Sequence, residues 1–198
     1  MTVTPVRYSE RMETIAKRYF SYNEIHRTVS ALAREILASG FEPDVTVAIG
    51  TGGFIPARIL KTFLKKPILT VGVKLYNDDN QMGEGPKKVQ WIDEVERKLR
   101  GKRVLLIDEV DDSRTTLAYC LRELLSHHPA EIGVAVLHCK DKAKCDQFPP
   151  EITRYWVGQH LQDIWVVYPW DAEDIDAHER NIQAMHLGAG SPASIPLA

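Results

Sequence analysis

The chain has 198 residues, 44% of them hydrophobic, and a formal net charge of −2 at pH 7. Its length is enough for one domain with a substantial core. The lack of a basic stripe argues against nucleic-acid binding, and the lack of ~20 consecutive apolar residues argues against a membrane span. Because residues 1–9 lack the apolar region of a signal peptide and the three cysteines lack metal-ligand spacing, we expect a soluble, cytoplasmic protein with unpaired thiols.

Helices and strands are predicted to alternate along most of the chain. Ser21 and Glu24 form a capping box, and apolar residues then recur at helical spacing until Gly40. Strands are predicted over residues 45–49, 68–76, 103–107 and 132–138, and helices over 56–65 and 115–126. This alternation favours βαβ crossovers, and therefore an α/β fold with a mostly parallel sheet and helices on both faces.

Three segments depart from this alternation. Residues 77–86 are polar and glycine-rich and residues 89–92 can form a strand, so we predict a mobile lid over about 76–92. Aromatic residues become frequent after residue 150, which favours a small hood subdomain over about 150–180. Residues 187–198 are expected to form a flexible tail. The remainder, 1–186, is predicted to be a single domain with its core at about 21–148.

The most informative segment is an apolar strand that ends in Asp108 and Glu109 and is followed by Asp111, Asp112 and a hydroxyl-rich loop. Hydroxyls and free N–H groups at the start of a helix suit a phosphate. Four carboxylates would repel that phosphate unless they bind sugar hydroxyls, a divalent metal or a reacting proton. The segment therefore predicts a site for a phosphorylated sugar and favours an enzyme.

The four carboxylates have different predicted roles. Asp108 and Glu109 are candidates for ribose hydroxyls and for metal contact, either direct or through water, with solvated strand-end acids as the alternative. Asp112 is the better candidate for a general acid/base, and a helix N-cap role is compatible with the same position. Asp111 is expected to be exposed.

Three further features lie at predicted strand ends or in the aromatic section. Gly50-Thr51-Gly52-Gly53 follows a strand, where its N–H groups could approach an oxyanion, although an ordinary tight turn is the alternative. Lys140 could donate to a carbonyl on a base, although the run Lys140, Lys142, Lys144 could equally be a solvated face. Trp165 could stack on a heteroaromatic ring or lie in the core.

With these residues together, the chain resembles the type I phosphoribosyltransferases. Within that family it is similar to the 6-oxopurine enzymes, the short hypoxanthine-guanine and xanthine phosphoribosyltransferases of the fungal type. The resemblance covers about residues 19–178. The motifs that carry it are residues 107–117 (IDEVDDSRTTL), 48–58 (AIGTGGFIPAR), 136–142 (VLHCKDK) and 165–175 (WVVYPWDAEDI).

The resemblance implies how phosphoribosyl pyrophosphate would bind. Asp108 and Glu109 would hold its ribose hydroxyls with Mg²⁺ nearby, and Asp112 would act as general acid/base near N7 of the purine. The phosphate contacts would come from two loops, with Ser113, Arg114, Thr115 and Thr116 around the 5′-phosphate and Thr51, Gly52 and Gly53 at the pyrophosphate, often through a non-proline cis peptide.

The resemblance also implies how the base would bind. Lys140 would contact the 6-oxo group, which makes adenine a poor substrate, and Trp165 would stack on the ring while the backbone of Val166 binds its edge. Asp171 would lie near C2 and is a further candidate metal ligand. The sequence of residues 169–174 is more similar to that of the xanthine-type relatives.

Two positions depart from the family pattern. Many members carry Thr-Gly where this chain has Ser113-Arg114, a trait of the fungal-type relatives, so the phosphate loop cannot rely on glycine's conformational freedom. Lys74 precedes Leu75 and Tyr76 where relatives often have serine. Lys74 and Tyr76 would lie at the base of the lid.

The resemblance implies an enzyme that transfers the 5-phosphoribosyl group to hypoxanthine, guanine or xanthine, giving a nucleoside 5′-monophosphate and pyrophosphate, as a homodimer or homotetramer. One alternative is a non-catalytic regulator on the same fold that binds nucleotide or phosphoribosyl pyrophosphate. The retained Asp112 and the slightly acidic charge argue against it. A receiver or haloacid phosphatase domain is a further alternative, but the Asp-x-Asp-x-Thr order is absent at Asp108-Glu109-Val110.

Overall fold

A computed structural model describes residues 16–76 and 82–188. The chain divides into a larger unit, Ile25–Asp163, and a smaller unit drawn from Met1–Glu24 and Ile164–Ala198. In chain order the elements are β1 (Lys17–Tyr19), α1 (Tyr22–Ala38), β2 (Val45–Gly50), α2 (Phe54–Leu64), β3 (Ile68–Tyr76), β4 (Met82–Gln90), α3 (Val95–Leu99), β5 (Arg103–Asp111), α4 (Thr115–Leu125), β6 (Glu131–Lys140), β7 (Arg154–Leu161), β8 (Trp165–Val167), a 3₁₀ helix (Pro169–Asp171) and α5 (Ile175–Gly188).

The larger unit is built on a six-stranded sheet with the strand order β4-β3-β2-β5-β6-β7. All neighbouring strands are parallel except β4, which pairs antiparallel with β3 at one edge. Parallel neighbours need a crossover connection, and α2 and α4 lie in the crossovers from β2 to β3 and from β5 to β6. The mostly parallel α/β fold predicted from the sequence is therefore confirmed.

Both faces of the central strands are buried. Val104 and Leu106 on one face of β5 join a core cluster that includes Leu117 and Leu121 of α4. The alternate residue Leu105, on the opposite face, is also fully buried. Burial on both faces explains why these strands are nearly continuous apolar runs, as parallel sheets require.

The capping box at the start of α1 is confirmed. The N–H of Ser21 donates to Glu24 Oε2 at 2.8 Å, and the N–H of Glu24 donates to Ser21 Oγ at 3.1 Å. These two bonds satisfy N–H groups that the first helical turn leaves without a partner. Helix α1 therefore begins where its sequence predicts.

The smaller unit contains a two-stranded parallel sheet in which β1 pairs with β8. The rings of Tyr168 and Trp170 stack with their centroids 4.4 Å apart. His178 of α5 packs edge-on against Tyr19, and His178 Nε2 lies 2.9 Å from the backbone oxygen of Phe20. Aromatic packing and one buried histidine thus connect the first and last segments of this unit.

Several predictions about segments stay predictions. Residues 77–81 of the proposed lid and most of the proposed tail lie outside the described residues. The part of the lid segment that is described is largely β4, which begins at Met82, earlier than the strand expected at residue 89, because its backbone pairs with β3. Across residues 16–76 and 82–188, no helix combines the length and apolarity needed to span a membrane.

Candidate functional site

The strand order creates a crevice at the carboxyl ends of β2 and β5. The chain leaves β2 for β3 on one side, and β5 lies on the other side, so the direction of winding reverses between these neighbours. Open parallel sheets bind ligands at such a reversal. A cavity of about 590 Å³ lies here. Its lining includes the predicted site residues Lys74, Asp108, Glu109, Asp112, Ser113, Arg114 and Thr116, and also Lys142.

The loop after β2 begins with a cis peptide bond between Gly50 and Thr51. This is the non-proline cis peptide that the resemblance implies for the loop. Gly50 lines the cavity, whereas Thr51 is exposed. The N–H of Phe54 donates to the carbonyl oxygen of Thr51 at 3.1 Å, which closes the turn into α2.

Two glycines of this loop lie close to neighbouring groups, Gly53 against backbone and Gly52 against a side chain. A Cβ atom on Gly53 would lie 2.7 Å from the backbone oxygen of Ile49 and 2.8 Å from that of Ile107. A Cβ atom on Gly52 would lie 2.1 Å from the carboxyl carbon of Glu109. The loop therefore packs directly against the end of β5, and an ordinary tight turn does not account for this packing.

Asp108 and Glu109 form an adjacent carboxylate pair on the cavity wall. Asp108 is 7% exposed, so a solvated strand-end acid is the wrong interpretation for it. Burial raises the pKa of Asp108 well above its ordinary value, and the charge of Glu109 raises it further. Hard oxygen ligands whose charges repel each other suit Mg²⁺, because a bound cation relieves the repulsion. The pair fits a divalent metal.

Strand β5 continues through the acids, although the sequence predicted that it ends at Ile107. Val110 pairs with His138, and Asp111 pairs with Cys139 in the parallel ladder to β6. The predicted exposure of Asp111 is therefore wrong, because the residue is fully buried. The prediction failed because carboxylates are costly to bury alone, and only the tertiary structure provides partners that offset this cost.

The partners of Asp111 are an arginine and a tyrosine. Asp111 Oδ2 accepts hydrogen bonds from Arg114 Nε at 3.0 Å and Arg114 Nη2 at 2.7 Å, and from the Tyr155 hydroxyl at 2.8 Å. The guanidinium carbon of Arg114 also lies 4.2 Å from the centre of the Phe148 ring. Burial lowers the pKa of Arg114, but the hydrogen bonds to Asp111 outweigh this effect and hold it above its ordinary value.

Arg114 has a left-handed backbone conformation, with φ 71° and ψ −5°, immediately before α4. A residue other than glycine pays about 1–2 kcal/mol for this conformation. Ser113 Oγ donates to Thr115 Oγ1 at 3.1 Å, and the N–H of Thr115 donates to Ser113 Oγ at 3.4 Å. Hydroxyls and first-turn N–H groups thus converge at the N-terminus of α4, which suits a phosphate.

Asp112 is half-buried between two lysines. Lys140 Nζ donates to its Oδ2 at 3.0 Å, and Lys142 Nζ lies 2.5 Å from its Oδ1. Both lysines also face Asp163, at 3.7 Å and 3.0 Å respectively. Burial opposes ionisation of Asp112, but the hydrogen bonds from Lys142 and Lys140 outweigh it, so the pKa of Asp112 is below its ordinary value. At neutral pH Asp112 is a carboxylate and can accept a proton.

The lysine run is not a solvated face. Lys140 and Lys144 have side chains only 8% and 11% exposed. Lys144 Nζ donates to the backbone oxygens of Asp111, Asp112 and Lys140 at 2.7, 3.0 and 2.7 Å. Lys144 therefore joins the end of β5 to the end of β6.

The remaining predicted residues are described within their own elements. Trp165 begins β8 and is 43% exposed, so the alternative of a core tryptophan is wrong. Val166 pairs with Arg18 of β1, and Asp171 is exposed at the end of the 3₁₀ helix. These three predicted residues belong to the smaller unit. The side chain of Tyr76 lies outside the described residues.

Lys142, Asp163 and Tyr155 were not identified as site residues from the sequence. The spacing of Lys140 and Lys142 contained a signal, because alternate residues of an extended segment share a side. No sequence signal marked Asp163 or Tyr155. Tyr155 lies within β7 and Asp163 just after it, and both are far from the phosphate loop in sequence.

Comparison with known proteins places these features in a family. A family model described as the phosphoribosyl transferase domain matches residues 18–174. The hypoxanthine-guanine phosphoribosyltransferase of Schizosaccharomyces pombe is 40% identical over 196 residues, an alignment that covers 84% of this chain and 95% of the relative. The xanthine phosphoribosyltransferase 1 of Saccharomyces cerevisiae is 40% identical over 194 residues, covering 82% and 93%.

A solved structure is also similar. It is a hypothetical protein from Neisseria gonorrhoeae with bound ppGpp, 49% identical, with a TM-score of 0.81 over 87% of this chain and 98% of that one. Sequence and structure comparisons thus agree over most of the chain.

Two substitutions in the glycine loop, residues 50–53, should differ in their effect on stability. Gly53→Ala should lower the melting temperature, because its Cβ meets fixed backbone oxygens and overpacking costs about 1–3 kcal/mol. Gly52→Ala should leave the melting temperature near that of the wild type, since the Glu109 carboxylate can rotate away, while still displacing that carboxylate from its position. Thermal unfolding of the two variants measures the difference, and equal losses of stability would contradict it.

Proposed function

Because the chain belongs to the phosphoribosyl transferase family, we propose that it transfers the 5-phosphoribosyl group of phosphoribosyl pyrophosphate to a nitrogen of a 6-oxopurine and releases pyrophosphate. The observation that carries the proposal is the single cavity lined by the Asp108–Glu109 pair, by Asp112 with Lys142, and by residues at the N-terminus of α4. Hypoxanthine, guanine and xanthine are the candidate bases.

Phosphoribosyl pyrophosphate is proposed to bind along this cavity. Its 5′-phosphate would meet the N-terminus of α4, where Ser113, Arg114, Thr115 and Thr116 supply hydroxyl and N–H groups. Its ribose hydroxyls would donate to Asp108 and Glu109. Its pyrophosphate would lie against the glycine loop, at Thr51, Gly52 and Gly53, because glycines without Cβ atoms let backbone N–H groups approach an oxyanion closely.

Mg²⁺ is the proposed cofactor. Asp108 and Glu109, directly or through water, are the residues that would hold it, and their adjacent positions on the cavity wall support this choice. When bound with the substrate, Mg²⁺ supplies positive charge that stabilises the leaving pyrophosphate. Asp171 stays a predicted metal ligand from the smaller unit.

Asp112 is the proposed general acid/base. The purine loses a proton as its nitrogen bonds to the ribose carbon. The carboxylate of Asp112 would accept that proton from N7. Lys140 and Lys142 keep Asp112 ionised and fix its two oxygens, which prepares it for this role. The transition state has oxocarbenium character, so fixed charges and the exclusion of water carry most of the catalysis.

Separate contacts to the base are proposed for a lysine and for an aromatic ring. Lys140 would donate to the 6-oxo group, and its position beside Asp112 supports this. Trp165 would stack on the purine, which its exposed ring allows, while Val166 and Asp171 would contact the edge near C2. Lys74, Tyr76 and the following segment would form a lid that excludes water. A cytoplasmic location and a homodimer or homotetramer stay predictions.

A turnover experiment tests the proposed reaction. Release of pyrophosphate is measured with Mg²⁺ and phosphoribosyl pyrophosphate against hypoxanthine, guanine, xanthine and adenine in parallel. We expect turnover with at least one 6-oxopurine and little with adenine, because a lysine donates to an oxo group and not to an amino group. Binding of phosphoribosyl pyrophosphate without turnover of any base would favour the regulator instead.

The similar Neisseria gonorrhoeae protein with bound ppGpp suggests a second ligand for the same cavity. We propose that ppGpp competes with phosphoribosyl pyrophosphate, since both present phosphates on a ribose. Adding ppGpp to the turnover assay should raise the apparent KM for phosphoribosyl pyrophosphate and leave kcat unchanged. A fall in kcat at saturating substrate would place ppGpp elsewhere.

Substitution of Asp112 tests the proton-transfer role. Asp112→Asn should retain binding of phosphoribosyl pyrophosphate but slow kcat by about 10²–10⁴-fold, the usual loss when general acid/base help is removed. Asp141→Asn is a suitable control, because Asp141 also directly follows a strand of the sheet, β6, but its carboxylate pairs with His160 at 2.8 Å. Wild-type turnover by Asp112→Asn would remove Asp112 from the role.

A further inference from the structure

We propose that Asp111 is a positioning residue for phosphoribosyl pyrophosphate: it holds Arg114 in the left-handed conformation from which α4 begins and so aims the first-turn N–H groups at the 5′-phosphate. This inference rests on the proposed function. It assigns a role to a carboxylate that touches no substrate and that the sequence predicted to be exposed.

The contacts of Arg114 point inward. Its Nε and Nη2 both donate to Asp111 Oδ2, at 3.0 and 2.7 Å, and its guanidinium stacks on Phe148. Two of its five N–H groups are therefore directed at a fully buried carboxylate. We assign the side chain of Arg114 to this tether, and its contribution at the phosphate to its backbone conformation.

The carboxylate itself is fixed independently of Arg114. Tyr155 of β7 donates to Asp111 Oδ2 at 2.8 Å, and the backbone of Asp111 lies in the ladder beside Cys139. Asp111 is thus a rigid anchor on the sheet, three residues before the loop residue that it holds. A glycine at position 114 would adopt the same backbone conformation without an anchor.

The rest of the phosphate loop is held by two further contacts. Lys144 Nζ donates to the backbone oxygens of Asp111 and Asp112, and the N–H of Cys145 donates to the backbone oxygen of Ser113 at 2.9 Å. These bonds fix the residues before Arg114 but do not reach Arg114 itself. Arg114 itself is held through its backbone oxygen, which accepts from the N–H of Ala118 at 2.9 Å, and through its side chain, which Asp111 anchors to the sheet.

The test compares variants at both ends of the tether. Asp111→Ala should raise KM for phosphoribosyl pyrophosphate by about 5- to 30-fold, the factor that corresponds to the cost of a left-handed residue without its anchor. The KM for the base should stay within about twofold. The double variant Asp111→Ala/Arg114→Gly should recover most of the loss, because glycine needs no tether and leaves no unpaired cation.

A matched pair at position 114 covers the case in which Asp111→Ala does not fold. Arg114→Gly and Arg114→Ala both remove the guanidinium, but only glycine tolerates the left-handed conformation. Arg114→Gly should therefore bind phosphoribosyl pyrophosphate more tightly than Arg114→Ala. Equal weakening in both would show that the guanidinium contacts the phosphate directly and would overturn the proposal.

The control is a second arginine–aspartate pair on the same helix. Arg122 of α4, about two helical turns after the start of the helix, donates to Asp146 through two nitrogens, at 3.2 and 2.8 Å. Asp146→Ala should leave both KM values unchanged. If Asp111→Ala raised both KM values equally, or the double variant recovered nothing, Asp111 would be merely structural.

The positioning role and the proposed reaction can fail separately. Titration of the wild type with phosphoribosyl pyrophosphate and Mg²⁺ comes first. Absence of both binding and turnover would overturn the proposed function together with this inference. Wild-type turnover with no difference among the variants would overturn the inference alone.

Discussion

Electrostatic repulsion among four carboxylates at the carboxyl end of β5 is the constraint around which the larger unit is organised. Each carboxylate is compensated differently. Asp111 is fully buried and paired with Arg114, while Asp112 is half-buried between two lysines. Asp108 and Glu109 instead lie side by side on the cavity wall, where burial, and after it the charge of Glu109, raises the pKa of Asp108. Asp111 and Asp112 are thus paired with cations, whereas Asp108 and Glu109 are the carboxylates proposed to bind sugar hydroxyls and a divalent cation.

The lysines that follow β6 also connect the carboxyl ends of β5 and β6. Lys140 and Lys142 hold the carboxylate of Asp112, and Lys144 binds backbone oxygens of both β5 and β6. The proposed phosphate loop and the proposed base contact at Lys140 therefore share one hydrogen-bonded framework. The proposed tests measure the KM values of both substrates, because this distinguishes a local change at Arg114 from a disturbance of the whole framework.

The N-terminus of α4 illustrates two physical routes to the same backbone conformation. Glycine reaches the left-handed region through its intrinsic freedom. Arg114 reaches it at a cost that tertiary contacts with Asp111 and Phe148 offset. The second route makes the loop depend on the buried end of β5.

The sequence by itself predicted the α/β fold, the capping box at Ser21, the cavity-lining acids and the glycine loop, because periodicity, capping and turn chemistry are local. It could not predict that β5 continues to Asp111, that this residue is buried, or that Lys144 is locked on three carbonyl groups. Burial of a charge depends on partners such as Tyr155 that are distant in the chain. Whether a charged residue is solvated or buried was therefore decided only by the tertiary structure, because the free energy of burying a charge is set by its neighbours in space and not by its neighbours in sequence.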